Sequence, residues 1–230
     1  MQSVLIIAPD DAFRTELIKE LQKHYRLLYC GNATEGIACF RSIQPDVLIL
    51  NLFLPGIDGL RMLEMLGDRH PTVTITLSAV YTLYDTQQLL ELGVNHMLLM
   101  PCTIHTVMHH VVRLLKYRED AQRTEVQKSI TDHLTCLGFP THLDGYQMLR
   151  MGTPIFAQDP NQSMTKEFYP AVALLCGNGN WKQVERSIRT AIRHAWEHRD
   201  ADIWQRYFPD VIRCPSSKKF ISRMTELLET

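Results

Sequence analysis

Along residues 1–117, short apolar runs alternate with stretches whose apolar residues recur at helical intervals. The runs SVLIIA (3–8), YRLLYC (25–30), DVLILNL (46–52), TVTITLSA (72–79) and HMLLM (96–100) are strand-sized. The third is apolar almost throughout, as in a strand covered on both faces. The fourth is rich in β-branched residues, which suit a pleated surface. Phe13, Leu17, Ile18 and Leu21 mark a helix over 11–24, and Ile37, Ala38 and Phe40 mark one over 33–43. Further helices are expected over 59–66, over 86–92 with a stop at Gly93, and from Pro101 through Lys116. Five strands, each followed by a helix, predict a flavodoxin-like, doubly wound parallel sheet.

From Ser129 on, no strand period appears. Helices are expected over 130–137, 145–151, 168–175, 181–198 and 218–228, so the fold class is α/β followed by all-α. The intervening REDAQRTEVQK (118–128) is charged and lacks aromatic residues, and reads as a linker or a helical extension. The expected domains are therefore 1–117, a linker at 118–128, and 129–230.

The 181–198 helix carries two stripes. Val184, Ile188, Ala191, Ile192, Ala195 and Trp196 form an apolar face, while Lys182, Arg186, Arg189 and Arg193 form a basic one. Asn180 is a good N-cap, and Gln183 three residues on completes a variant capping box. Ahead of it lie a short apolar helix and the break Gly177-Asn178-Gly179. A short helix, a Gly-containing turn and a long helix with one cationic face predict a helix-turn-helix, whose second helix can enter a major groove. A solvated helix face is the plain alternative for the stripe.

The charge totals hide this feature. Lys plus Arg is 24 and Asp plus Glu is 25, a net charge of -1, which excludes a globally basic nucleic-acid binder. Divided after Glu125, the first part has 11 cationic against 14 acidic residues (-3), and the second 13 against 11 (+2). Residues 181–199 hold five cations, the four above plus Arg199, against Glu185 and Glu197. The apolar runs fall well short of the ~20 residues that span a bilayer, and the N-terminus lacks the features of a signal peptide. None of the six cysteines forms a C-x-x-C pair. A reduced, cytoplasmic protein is expected.

The order of elements in the first half, centred on PDVLILNLFLPGIDGL (45–60), resembles the receiver domain of bacterial two-component response regulators. The L-P-G-x-D-G turn speaks against a flavodoxin-like domain of other ancestry. Ser78 stands where receivers keep Ser or Thr, and Met100-Pro101 where they keep Lys-Pro. The resemblance implies a carboxylate nucleophile that attacks a phosphohistidine, acidic ligands for Mg²⁺ and a Lys that pairs with phosphoryl oxygens. Here the nucleophile position is Asn51, the acidic pair falls on Ala8 and Pro9 by its spacing from Arg14, and the Lys position is Met100. The aromatic switch position is Met97. Asp10 and Asp11 lie just beyond, where a shifted alignment would restore the acids. The expectation is a degenerate pseudo-receiver: no phosphorylation at Asn51, Mg²⁺ binding lost, and no cofactor, metal or catalytic residue.

Residues 129–230 resemble the effector domain of the sporulation response-regulator family. The matching residues are Ser129-Ile130-Thr131, Leu137-Gly138-Phe139-Pro140, His142, Gly145-Tyr146, Leu149-Arg150, Tyr169-Pro170, Val184 through Arg189, Ala191-Ile192 and Ala195-Trp196. This implies double-stranded DNA as partner, with Glu185, Arg186 and Arg189 at contact positions. Arg186 is the candidate base reader, since a guanidinium can pair bidentately with guanine. Arg189 shares that work or binds phosphate, while Glu185 accepts from a cytosine or orients Arg189 at i+4. Lys182 and Arg193 are expected on phosphates. Thr190 stands where the family has His, so base preference is expected to differ. Arg213, Lys218 and Lys219, near a helix start with Ser216 and Ser217, suit either a phosphate or a plain cap.

Two His pairs at i,i+4, His105/His109 and His194/His198, lack a third zinc ligand and H-E-x-x-H, and read as ordinary histidines. No enzyme constellation appears. The leading expectation is a sequence-specific DNA-binding regulator, acting as a homodimer or as a heterodimer with another response regulator. The alternative is an interaction module that binds or sequesters components of a sporulation phosphorelay. The retained basic stripe favours the former.

Overall fold

The computed structural model describes residues 1–177 and 179–228. Asn178, part of the expected turn, lies outside them. The chain divides into two compact units, Met1–Asp120 and Ala121–Thr230.

The first unit is the expected parallel five-stranded sheet, in the order β2-β1-β3-β4-β5. The strands are β1 (Ser3–Ile7), β2 (Arg26–Cys30), β3 (Val47–Asn51), β4 (Val73–Ser78) and β5 (His96–Leu99). Helices α1 (Ala12–Leu21), α2 (Ala33–Ile43), α3 (Gly59–Leu66) and α4 (Leu83–Glu91) follow the first four strands. β1 runs alongside both β2 and β3, so the chain direction through the sheet reverses between β1 and β3. In open parallel sheets, ligands bind beyond the carboxyl ends of the strands at such a point. β3 is buried through Leu50 and surfaces only at Asn51. Helices cover both faces, which is why its sequence does not alternate. One face packs Ile6, Ile49 and Ile75 with Val107 and Val111; the other packs Leu48 and Leu50 with Ile37, Phe40 and Met62.

Helix α5 runs unbroken from Ile104 to Cys136. The stretch 118–128 is thus helical, because no Gly or Pro interrupts residues 102–137. Arg118, placed in the linker from the sequence, is tied into the first unit. Its guanidinium donates to the Asp46 carboxylate at 2.9 Å and to the Pro71 carbonyl at 3.2 Å.

The second unit is helical. After α5 come α6 (Asp144–Gln158), a π-helical turn (Met164–Phe168), α7 (Tyr169–Leu175), α8 (Trp181–Glu197), α9 (Ala201–Tyr207) and α10 (Ser217–Glu226). Helix α6 continues past Met151, the expected end, through Gly152 and Pro154 to Gln158. Burial of Leu149 and Phe156 holds the helix on both sides of the proline. Helix α9 is an element the periodicity missed. Asp200 caps it, accepting from the N–H groups of Asp202 and Ile203, and its seven residues are anchored by buried Trp204.

Candidate functional site

The carboxyl edge of the sheet gathers the receiver positions. Asn51 ends β3 and pairs with Leu77, Ser78 ends β4 beside Leu99, and the Met100 N–H donates to the Ser78 carbonyl at 2.7 Å. Ala8 and Pro9 follow β1. The Asn51 side-chain oxygen accepts from the Phe53 N–H at 2.9 Å, an Asx turn that opens the next loop. That loop returns so closely that a Cβ on Gly59 would lie 2.8 Å from the Asn51 carbonyl oxygen, which explains the glycine at this point of the LPGIDGL turn. Ser78 is buried and bonds locally to Val80. The Met100 thioether lies 3.4 Å from the Cys102 sulfur and packs against the apolar cluster below the edge.

The two nearby acids are both engaged. Asp11 caps α1, accepting from the Arg14 N–H at 2.7 Å. Asp10 forms an ion pair with Arg14, whose buried guanidinium also donates to the Ala8 carbonyl at 3.0 Å. Among the described residues, no group of three or more His, Cys, Asp or Glu side chains is arranged to hold a metal ion.

The second site is α8. Its apolar stripe is buried at Val184, Ile188, Ala191, Ile192 and Ala195, while Trp196 is half-buried. Each buried Val or Ile contributes on the order of 1.5–3 kcal/mol, which fixes the rotation of the helix about its axis. Lys182, Arg186, Arg189, Thr190 and Arg193 are consequently exposed, and Glu185 is half-buried. The Asn180 side chain accepts from the Gln183 N–H at 3.4 Å, so the expected cap is in place. Glu185 pairs with Arg189 at 3.8 Å, the orienting contact expected at i+4.

The basic residues form a ridge between two clefts. On one side, a cleft of about 590 Å³ takes Lys182, Arg186 and Thr190 together with Asp144 and Asn180. On the other, a cleft of about 490 Å³ takes Glu185, Arg189 and Arg193 with Tyr169 and Lys218. Burial pushes the Tyr169 hydroxyl above the usual tyrosine range, against a hydrogen bond with Ser217 that favours ionisation. The first cleft exists because α6 and α8 cross closely; a Cβ on Gly145 would lie 2.2 Å from the Ser187 carbonyl oxygen.

Some expected residues fall elsewhere. Arg199 lies beyond α8, its guanidinium 3.9 Å from the Trp196 ring centroid and donating to the Trp196 carbonyl at 2.7 Å. It closes the helix end rather than extending the ridge. Ser216 is the cap of α10, accepting from the Lys219 N–H at 3.3 Å. Lys218 shares the Arg189 cleft, whereas Arg213 and Lys219 line a different hollow. His194 and His198 stack at 4.4 Å. No helix among the described residues is long and apolar enough to cross a membrane.

Each half of the chain matches a known family. Residues 4–112 match the response regulator receiver domain, and residues 130–228 match the family described as sporulation initiation factor Spo0A C terminal. Among solved structures, a CheY-like response regulator receiver domain protein from Methanospirillum hungatei JF-1 is similar with a TM-score of 0.50 and 19% identity, over 53% of this chain and 98% of that one. The N-terminal domain of an uncharacterized protein from Wolinella succinogenes is similar at 25% identity and a TM-score of 0.47, over 53% and 98% of the two chains. With a receiver fold in its first half and a Spo0A C-terminal domain in its second, the chain is a Spo0A-like response regulator, a transcription factor of the sporulation type.

Proposed function

We propose that this regulator binds DNA sequence-specifically through α8 and does so without phosphorylation of its receiver half. The observation that carries the reading is the contrast in available charge. The α8 ridge is exposed, whereas Asn51, Ala8, Pro9 and Met100 stand at the sheet edge and the adjacent acids are engaged by Arg14 and the α1 cap. A neutral amide cannot form an acyl phosphate, and a thioether cannot neutralise one. These residues do not fit Mg²⁺, which prefers carboxylate and water oxygens.

In this reading Arg186 reads a base edge in the major groove and Arg189, held by Glu185, reads or positions beside it. Lys182 and Arg193 contact phosphates, and Lys218 extends that contact from the α10 side. Thr190 sits in the Arg186 cleft and alters the base preference there. Control comes through abundance, a partner or a ligand. Footprinting across the genome, with wild type and Arg186→Ala, tests the reading. Discrete protected sites that fade in the variant support it; equal affinity of both proteins for selected and scrambled duplexes overturns it.

A second reading, pairing with an identical or different response regulator, draws support from the receiver half. Leu83, Tyr84 and Leu90 on α4 and Leu99 at the end of β5 are large, apolar and exposed. This pairing is compatible with DNA binding and would set the spacing of half-sites.

A further inference from the structure

The DNA reading leaves unused a pair of thiols in the first unit. Cys30 ends β2 and Cys39 lies in the second turn of α2, and their sulfurs are 3.3 Å apart. Cys30 is buried and Cys39 half-buried. We propose that Cys30 and Cys39 are a peroxide-reactive pair that closes reversibly to an intramolecular disulfide.

A disulfide bond is ~2.05 Å long, so the sulfurs need to approach by about 1.3 Å, within reach of small side-chain rotations. The loop closed is short and joins elements already packed together, so closure needs no rearrangement of the sheet. The two sulfurs differ in environment, and that difference assigns their roles. Burial, reinforced by the hydrogen bond with Cys39, pushes the Cys30 thiol up to about 12, so it keeps its proton. Cys39 is the one solvent reaches and is the attacking residue; Cys30 resolves.

In the first step the Cys39 thiolate attacks one oxygen of hydrogen peroxide. The O–O bond breaks, a sulfenic acid forms on Cys39, and the departing hydroxide leaves as water once it takes up a proton. In the second step the Cys30 sulfur attacks the sulfenic sulfur. The S–O bond breaks, and the hydroxyl departs as water with the Cys30 proton. Two thiols are oxidised and one peroxide is reduced to two waters. A dithiol such as dithiothreitol reverses the product by exchange. The linkage lies beside the receiver edge, where the Ala8 N–H donates to the Cys30 carbonyl at 3.2 Å.

Both cysteines fall in one tryptic peptide, 27–41, between Arg26 and Arg41. The full-length protein, reduced and freed of reductant, is treated with hydrogen peroxide, then denatured and alkylated with N-ethylmaleimide. The expected product is peptide 27–41, unalkylated and lighter by two hydrogens, restored to a doubly alkylated peptide by dithiothreitol. Cys136, the exposed cysteine, is the internal comparison. In Cys30→Ser, Cys39 is expected to stop at a sulfenic acid that dimedone traps. Peptide 27–41 fully alkylated after Cys136 has been oxidised overturns the proposal. So does a disulfide that joins either cysteine to any other residue. Both results are read in the wild-type chain, so neither depends on a variant that folds.

Discussion

Helices α1 and α8 open in the same way and end up with opposite uses for their charges. Each is capped by a side chain, Asp11 in one and Asn180 in the other. At α1, the acids and the arginine bond to one another and to the backbone: Asp10 to Arg14, Arg14 to the Ala8 carbonyl, Asp11 to the helix start. At α8, the apolar stripe buries one face and turns Lys182, Arg186 and Arg193 outward. What a charged residue near a site can do depends on the partners the fold gives it. Residue type and spacing alone do not decide this.

The largest effect is expected from breaking the frame that presents the ridge. Gly145→Ala places a Cβ against the Ser187 carbonyl of α8, a backbone atom that cannot retreat without moving the helix. Overpacking of this kind costs ~1–3 kcal/mol, and this substitution should lie near the upper end, outweighing the ~1 kcal/mol that Ala gains over Gly in a helix. Thermal unfolding should show a lower transition for residues 121–230 and an unmoved one for 1–120. A matched fall in both would mean that the two units do not respond separately.

Next comes the ridge itself. Arg186→Ala should cost ~1–3 kcal/mol in binding to a selected duplex and flatten discrimination at one base position. Lys182→Ala or Arg193→Ala should weaken selected and scrambled duplexes alike and reduce the salt slope by about 1 each. If Arg186→Ala behaved like these, base reading would belong elsewhere on α8.

The fold was largely legible in the sequence, since its strands are apolar runs bounded by turn residues and its helices carry clear stripes. The helices expected over 33–43 and 59–66 have those bounds, and Asn32 and Asp58 cap them. Less was legible where tertiary burial overrides local signals. Pro154 does not end α6, and α9 depends on Trp204 reaching a core that the sequence does not display. In the candidate sites, periodicity placed Lys182, Arg186, Arg189 and Arg193 on one face. It could not separate Arg199, which stacks on Trp196, nor bring Lys218 into the Arg189 cleft, because both depend on contacts beyond helical spacing. The Asp10 and Asp11 ambiguity likewise needed side-chain partners. Cys30 and Cys39 sit on different elements, and spacing gives no sign that their sulfurs meet.

The smallest effect belongs to the first unit. Burial raises the Asp46 carboxyl, but hydrogen bonds from the Ser3 N–H, Arg118 and the Ser3 hydroxyl outweigh it and hold it below the usual range. A folded-state value that is depressed gives stability above the unfolded-state pKa, and that stability is lost as pH falls through the folded value. Asp46→Asn should therefore destabilise residues 1–120 at neutral pH by less than ~1 kcal/mol, because the group is about a third exposed. The gap should close in acid, below the ordinary carboxylate pKa. A gap that widened in acid would assign the stability to another group.

The contrast between the two regions is tested most directly by exposing the full chain to Mg²⁺ and a small-molecule phosphodonor. Intact mass and affinity for a selected duplex are then measured on the same sample. Mass and binding are expected to stay unchanged, for wild type and for Asn51→Asp alike, since Ala8, Pro9 and Met100 remain in the variant. A stoichiometric, base-labile phosphate on residues 1–120 of the wild-type chain, accompanied by tighter DNA binding, would contradict it.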